Sequence, residues 1–311
     1  MTDMEAVSHI PVLRDAVLEG LAVRADGLYV DGTFGRGGHS RAILERLGPE
    51  GRLLAMDRDP EAAAAAADLA DDPRFAFEPA PFSTMAATLC RRFPGRPVDG
   101  VFLDLGVSSP QLDTPERGFS FQHDGPLDMR MDPTCGESAA DWLARADETE
   151  IADVIYRYGE ERHSRRIARA IVEARREAPI TRTGELAELV SRAVPRREPG
   201  KHPATRSFQA LRIFVNQELA ELEQWLATIP DVLAPGARLV VISFHSLEDR
   251  MVKQALRKPV ADVRLPRGLP VMPEEPERKL RPVGKPIHAD RDEQRRNPRS
   301  RSAVLRIGER L

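Results

Sequence analysis

The sequence predicts an α/β domain with a parallel sheet that carries a helical insertion, and three observations support this. Between Tyr29 and Asp104 short apolar runs alternate with helical stretches, the signature of strands joined by crossover helices. From about Leu112 the strand signals stop for roughly a hundred residues while helical periodicity continues. They return in Ala237-Arg-Leu-Val-Val-Ile-Ser-Phe244, a run apolar enough for a buried strand. The expected division is therefore a discontinuous α/β domain, residues 1–112 and 213–311, around a helical insertion at 113–212.

In chain order, His9-Ile-Pro-Val-Leu13 leads into a short helix at 15–21 that braces the glycine-rich loop after it. Tyr29-Val-Asp31 ends the first strand, and Gly32, Gly35, Gly37 and Gly38 form a turn in which positive φ and close backbone approach are both accessible. A helix over 40–47 is stopped by Gly48-Pro49. Arg52-Leu-Leu-Ala-Met-Asp57 is the second strand, and Asp59-Pro60 starts an alanine-rich helix at 62–67. The third strand covers 74–77, with Pro81-Phe82 at its tip, and Val98-Asp-Gly-Val-Phe-Leu-Asp104 is the fourth. Helices are expected at 139–145, 149–158, 162–176 and 183–194, and one long amphipathic helix at 205–226. The polar, proline- and arginine-rich stretch from Pro259 reads as a loop, mobile or ordered by RNA, and 302–307 as the closing strand.

Composition removes several classes. The chain is 311 residues long and 41% hydrophobic, enough for a substantial core. Acidic residues near the N-terminus and the lack of a long apolar run point to a cytoplasmic protein without a membrane span. Cys90 and Cys135 cannot form a disulfide framework, and the seven histidines are scattered, so no metal site is expected. The net charge of −3 argues against a general nucleic-acid coat. Its distribution is uneven, with ten Lys/Arg against three Asp/Glu between Arg278 and Arg306; such a run is either solvated surface or a set of phosphate contacts.

Ligands of open α/β sheets lie outside the carboxyl ends of the strands, so Asp31, Asp57, Phe82 and Asp104 are expected to converge on one crevice. The dinucleotide fingerprint fails, because Ser40 stands where its third glycine belongs. What remains is acidic-x-x-x-Gly-x-Gly, Asp31 to Gly37, a pattern suited to a cationic ligand such as S-adenosylmethionine. Asp57, twenty positions beyond Gly37, can accept both ribose hydroxyls of a nucleoside. Phe82 either covers an adenine face or is an ordinary core phenylalanine. His245 is either a base or a structural histidine, and the structural role is favoured.

A series of motifs extends this reading: Asp31-Gly-Thr-Phe-Gly-Arg-Gly-Gly-His-Ser40, Asp104-Leu-Gly-Val-Ser-Ser-Pro-Gln111, Arg117-Gly-Phe-Ser-Phe121, Gly125-Pro-Leu-Asp-Met-Arg-Met-Asp132, Tyr158-Gly-Glu-Glu-Arg162, His202-Pro-Ala-Thr-Arg206 and Ser243-Phe-His-Ser-Leu-Glu-Asp-Arg250. In this order they closely resemble the bacterial ribosomal small-subunit RNA (cytosine-N4)-methyltransferase family, RsmH, formerly MraW. The resemblance implies a Rossmann-like class I S-adenosylmethionine-dependent methyltransferase domain with a helical insert. It also implies methylation of the exocyclic N4 amine of one cytidine in the decoding (P-site) region of 16S rRNA. By the same resemblance the cofactor is bound at Gly37, Gly38, His39, Asp57, Phe82, Asp104 and Gln111, to which the loop pattern adds Asp31 and Gly35.

Many amino-methyltransferases hold the target amine with Asn/Asp-Pro-Pro-Tyr/Phe; here the strand ends in Asp104-Leu-Gly-Val, so that device is absent. The alternatives are that Asp104 sits beside the methionine amine or methyl, with the carbonyls of 105–108 or the hydroxyls of Ser108 and Ser109 receiving the base, or that Asp104 binds cofactor alone. The base has to be unstacked to reach such a pocket. Arg117, Phe119, Phe121, Arg130 and Arg206 are the candidates for gripping the RNA. The expected partners are 16S rRNA within the small ribosomal subunit and, as an option, a second copy of the chain.

Three other readings fit the sequence less well. A nicotinamide dehydrogenase fails at Ser40 and leaves the basic tail unexplained. A serine hydrolase built on Gly106-Val-Ser-Ser-Pro110 fails because Pro110 occupies the nucleophile elbow's second glycine. A non-enzymatic RNA-binding protein explains the arginines and leaves the cofactor pocket idle.

Overall fold

The computed structural model describes residues 11–195, 200, 202–257 and 279–311. His9 and the first part of the stretch from Pro259, residues 259–278, lie outside these. The chain groups into two compact units, residues 1–106 with 221–311, and residues 107–220. The boundaries thus fall after Gly106 and Ala220 rather than at 112 and 212, where the sequence signals change.

The first unit opens with helix α1 (Arg14–Leu21) and strand β1 (Leu28–Asp31), followed by α2 (Gly38–Leu44), β2 (Arg52–Asp57), α3 (Pro60–Ala66), β3 (Phe75–Pro79), α4 (Met85–Arg92) and β4 (Val98–Asp104). The second holds α5 (Ser109–Asp113), α6 (Ala139–Arg145), α7 (Glu148–Gly159), α8 (Ser164–Ala174), α9 (Thr183–Ala193) and α10 (Thr205–Val215). Helix α11 (Glu218–Thr228) carries the chain back, and β5 (Leu233–Ser243), α12 (Ser246–Ala255), β6 (Leu280–His288), α13 (Arg291–Arg296) and β7 (Val304–Arg310) complete the first unit.

The seven strands form one sheet in the order β3-β2-β1-β4-β5-β7-β6. β1 to β5 are parallel, whereas β7 runs antiparallel to both β5 and β6. This is the expected Rossmann-like class I arrangement. The strand order reverses between β1 and β4, and this places a crevice at their carboxyl ends. Both faces of the central strands are covered. Leu28, Val30, Leu54, Met56, Val101 and Leu103 pack with Trp225 on one face, and Tyr29, Leu53, Phe102, Val240 and Ile242 pack with α1 and α2 on the other. Burial on both faces is why these strands read as continuous apolar runs.

Two expectations are corrected. The long helix at 205–226 is two helices, because Gln217 takes a left-handed backbone (φ 52°) and Asn216 caps α10. The Asn216 side chain also accepts from Met131 N (2.7 Å) and donates to the Met129 carbonyl (2.7 Å), so the break pins an irregular segment of the same unit. The described part of the expected loop after Pro259 is structured: it contains β6, α13 and a 3-10 turn, Pro298–Ser302. β6 pairs with β7 alone, at the sheet edge. A smaller difference is that β5 begins at Leu233 and passes through Pro235-Gly236, where the register with β4 shifts, instead of starting after a turn there.

The second unit has its own core, with Trp142, Ile155, Ile167, Ile171, Leu186, Phe208 and Leu211 buried together. Helix α7 starts with a reciprocal capping box in which Asp147 accepts from Glu150 N (2.8 Å) and Glu150 accepts from Asp147 N (3.0 Å). Among the described residues no helix is long and apolar enough to cross a membrane.

Candidate active site

The glycine loop after β1 is tied down by three strand tips. Asp31 is fully buried; its Oδ1 accepts from Thr33 N (3.1 Å) and its Oδ2 from the Ser40 hydroxyl (2.7 Å). The Thr33 hydroxyl accepts from Asp104 N (2.6 Å), which links the loop to β4. Phe34 N donates to the Met56 carbonyl (3.0 Å) and Gly35 N to Asp57 Oδ2 (2.8 Å), which link it to β2. Gly37 has φ 75°, and a Cβ there would lie 2.6 Å from the Phe34 ring. Gly37→Ala is therefore expected to destabilise the loop by about 1–3 kcal/mol, from left-handed strain plus the clash. Denaturant unfolding together with a cofactor titration checks this: affinity should fall more than global stability does.

Asp57 holds its carboxylate with two backbone amides, Gly35 N and Asp59 N (2.9 Å), and each oxygen keeps a lone pair for a further donor. Removal from water is the chief cause that raises Asp31 and Asp57 from 3.8 to about 6 and Asp104 to about 8. The Asp104 side chain is 26% exposed, and the carboxylates of Asp31 and Glu248 add repulsion. Its Oδ1 is buried and has no hydrogen-bond partner among the described residues, whereas its Oδ2 lies 3.8 Å from His39 Nε2. The His39 ring packs on Phe102 with centroids 4.5 Å apart. An acceptor with an open valence beside further carboxylates fits an ammonium or sulfonium ligand.

Phe82 is partly buried, edge-on to Trp225 at 6.2 Å, and its Cβ lies 3.2 Å from where a Gly32 side chain would begin. Asp31, Asp57, Phe82 and Asp104 are thus brought to one edge of the sheet. His245 caps α12, with Glu248 N donating to Nδ1 (3.4 Å), and its Nε2 lies 3.0 Å from Glu248 Oε1; this is the structural role. Three contributors are not apparent from motif reading: Thr33, Ser40 as the partner of Asp31, and the buried Glu248. The spacing Asp31-Gly-Thr33 is an Asx-turn signal that points to the first of these.

In the second unit, Ser108 and Gln111 form the capping box of α5: Ser108 N donates to Gln111 Oε1 (2.9 Å), and Gln111 N reaches Ser108 Oγ (3.5 Å). Gln111 is buried and Ser109 is half-buried. The candidate RNA residues are largely engaged inside this unit. Phe119 is buried in its core, with Arg117 over the ring at 5.8 Å. It therefore offers packing and no open stacking face. Phe121 lies against Phe208 (4.8 Å) and exposed His202 (4.6 Å). Arg130 forks onto Asp128 (2.9 and 2.7 Å), Arg117 donates to the Met131 carbonyl (2.8 Å), and Arg206 donates to the Glu160 carbonyl (2.8 Å).

The sequence model of the MraW methylase family matches residues 6–311. The chain belongs to the MraW methylase family. It is a methyltransferase. The chain is 61% identical over 313 residues to the ribosomal RNA small subunit methyltransferase H of Thioalkalivibrio sulfidiphilus, covering all of both proteins. Among solved structures, an rRNA methylase from Streptococcus thermophilus aligns with 96% of this chain and 93% of its own at 11% identity, with a TM-score of 0.40.

Proposed function

We propose that this methyltransferase transfers the methyl group of S-adenosylmethionine to the exocyclic N4 amine of one cytidine in the decoding region of 16S rRNA, within the small ribosomal subunit. The carrying observation is at the strand tips, where Asp104 Oδ1 is buried without a hydrogen bond from any described residue and the glycine loop is latched by Asp57. The full-length likeness to a small-subunit RNA methyltransferase supports the choice of RNA.

When bound, the cofactor supplies an electrophilic methyl on a sulfonium. Asp104 balances positive charge on the methionine end, Asp57 accepts the ribose hydroxyls, and Phe82 covers the adenine. Asp31 acts through Ser40 and Thr33, holding Gly35, Gly37, Gly38 and His39 against the cofactor. Gln111 is assigned to the cofactor on the motif resemblance. The cytosine amine is a weak nucleophile because its lone pair is delocalised into the ring. The contribution of the protein is therefore to position that amine and accept its hydrogens, through the carbonyls that follow Asp104 and the Ser108 and Ser109 hydroxyls. Arg117, Phe121, Arg130 and Arg206 belong to the RNA-recognition role proposed for the helical unit.

The raised carboxyl values have a pH consequence. A cationic ligand favours the ionised carboxylates, so binding releases protons, and affinity should rise by up to about tenfold per pH unit between about pH 6 and 7.5. For the free protein the sign is opposite. Folded Asp31, Asp57 and Asp104 retain protons that the unfolded chain gives up above 3.8, so their contribution to stability is complete below that value and is lost as pH rises through about 6 to 8. Calorimetry in buffers of different ionisation enthalpy counts the released protons.

The proposed substrate is tested by incubating the protein and cofactor with small subunits lacking the modification, and separately with the same RNA stripped of protein. S-adenosylhomocysteine should form faster with the subunit, reaching about one equivalent per RNA. Equal rates on both would overturn the choice of the assembled particle, and no turnover on either would overturn the RNA assignment.

A further inference from the structure

The connection between β6 and β7 lies at the same edge of the sheet as the proposed methyl-transfer pocket. Asp104 at the tip of β4 pairs in register with Ile242 of β5, and the next residue, Ser243, pairs with Val304, where β7 begins. Val304 also pairs with His288, where β6 ends. Residues 289–303, which contain α13 and the 3-10 turn, therefore emerge at the edge of the sheet that also carries the tips with Asp31, Asp57 and Asp104. A side-chain link reinforces this placement. Glu293 Oε1 accepts from Leu13 N (2.7 Å), and Pro11, two residues earlier, lies 2.6 Å from where a Gly38 side chain would begin.

Arg291, Gln294, Arg295, Pro298 and Arg301 line a cleft of about 460 Å³ in this connection. The neighbouring acids have partners other than Arg291 and Arg301. Asp290 accepts from the backbone amides of Asp292 and Glu293 (2.9 and 2.7 Å), Asp292 pairs with Arg295, and Glu293 holds Leu13. Gln294 is fixed by donating to the Ala289 carbonyl (2.8 Å). Arg291 and Arg301 are exposed, and neither forms an ion pair or side-chain hydrogen bond with another described residue. Two guanidinium groups therefore line a concave surface with no carboxylate of a described residue paired to either of them. Fixed, planar, multidentate donors of this kind suit phosphate oxygens.

We propose that the cleft between α13 and the Pro298–Ser302 turn seats backbone phosphates of the RNA substrate, gripping the strand from the α/β unit itself while the target base enters at the strand tips. The proposal rests on the RNA reading given above. It adds a phosphate-binding surface outside the helical unit, on residues that take no part in holding the cofactor. Because phosphates carry no sequence information, this surface sets affinity and register and leaves the choice of base to the pocket.

The test is the double variant Arg291→Gln/Arg301→Gln, with binding to small subunits measured over a salt series and cofactor affinity measured in parallel. Subunit affinity should fall by about tenfold, and the slope of log K against log salt should become shallower by about one to two. Cofactor affinity and turnover at saturating subunit should stay at wild-type values. Arg291→Lys/Arg301→Lys should recover most of the lost affinity and slope. Unchanged affinity and slope in the glutamine variant overturn the proposal, as does a lysine variant that recovers nothing. Wild-type protein that binds cofactor but has no affinity for the subunit overturns the RNA reading, and this surface with it; a wild type that binds RNA alongside an unaltered glutamine variant overturns the surface alone.

Discussion

Asp104→Asn is expected to lower methyl transfer by about a hundredfold while leaving the protein as stable as the wild type or more so at alkaline pH. The two effects separate because the carboxylate is poorly accommodated by the fold itself. Removal from water, with added repulsion from the carboxylates of Asp31 and Glu248, pushes its pKa up to about 8, and its Oδ1 has no hydrogen-bond partner among the described residues. An amide of the same shape removes that repulsion. What it cannot supply is a full negative charge for the cationic end of the cofactor, and a charge-assisted hydrogen bond is worth about 1.5–3 kcal/mol, roughly a factor of ten to a hundred and fifty. A group that costs the fold and serves the ligand is the pattern of a functional site. Initial rates at limiting cofactor and thermal melts at about pH 8.5 check both halves. Activity within about threefold of wild type would remove Asp104 from the mechanism.

Asp57→Ala is expected to weaken cofactor binding by at least about a hundredfold, with the effect in affinity and little in the rate of saturated enzyme. Two contributions add. The ribose loses a charged acceptor for its hydroxyls, worth about 1.5–3 kcal/mol per hydrogen bond. The loop also loses its latch, since Asp57 Oδ2 is the acceptor for Gly35 N. Asp57→Asn separates them: its remaining oxygen can hold Gly35 N, while the amide nitrogen cannot accept from the ribose. An intermediate affinity is therefore expected from calorimetric titration; equal losses in the two variants would mean that the latch contributes nothing, and a wild-type affinity in Asp57→Asn would mean that only the latch matters.

The central sheet was legible because β1, β2, β4 and β5 are buried on both faces, leaving apolar runs such as Val98–Asp104 that few other structures explain. β6 was not legible for the opposite reason. At the sheet edge it needs a partner on one side only, so it tolerates Pro282, Gly284 and Pro286 and exposes Arg281 and Lys285, the composition of a loop. The break at Asn216 was hidden because apolar residues continue across it at near-helical spacing; only the positive φ of Gln217 and the amide bonds of Asn216 show it.

The carboxylates at the strand tips could be read from sequence, since a charge ending an apolar run has few structural uses. Their partners could not. Ser40 and Thr33 are ordinary hydroxyls until the fold sets one on Asp31 and the other on the amide of Asp104. Phe119 shows the limit of motif reading, for an aromatic in a glycine-rich segment suggests base stacking, and the fold buries it in a core instead.

The most direct measurement is transfer from S-adenosylmethionine carrying a deuterated methyl group to small subunits that lack the modification, followed by digestion and mass spectrometry of the nucleosides. The account predicts one deuterated N4-methylcytidine per 16S RNA with the wild-type protein and almost none with Asp104→Asn. Label on a ring carbon, on another base or on no RNA at all would contradict it.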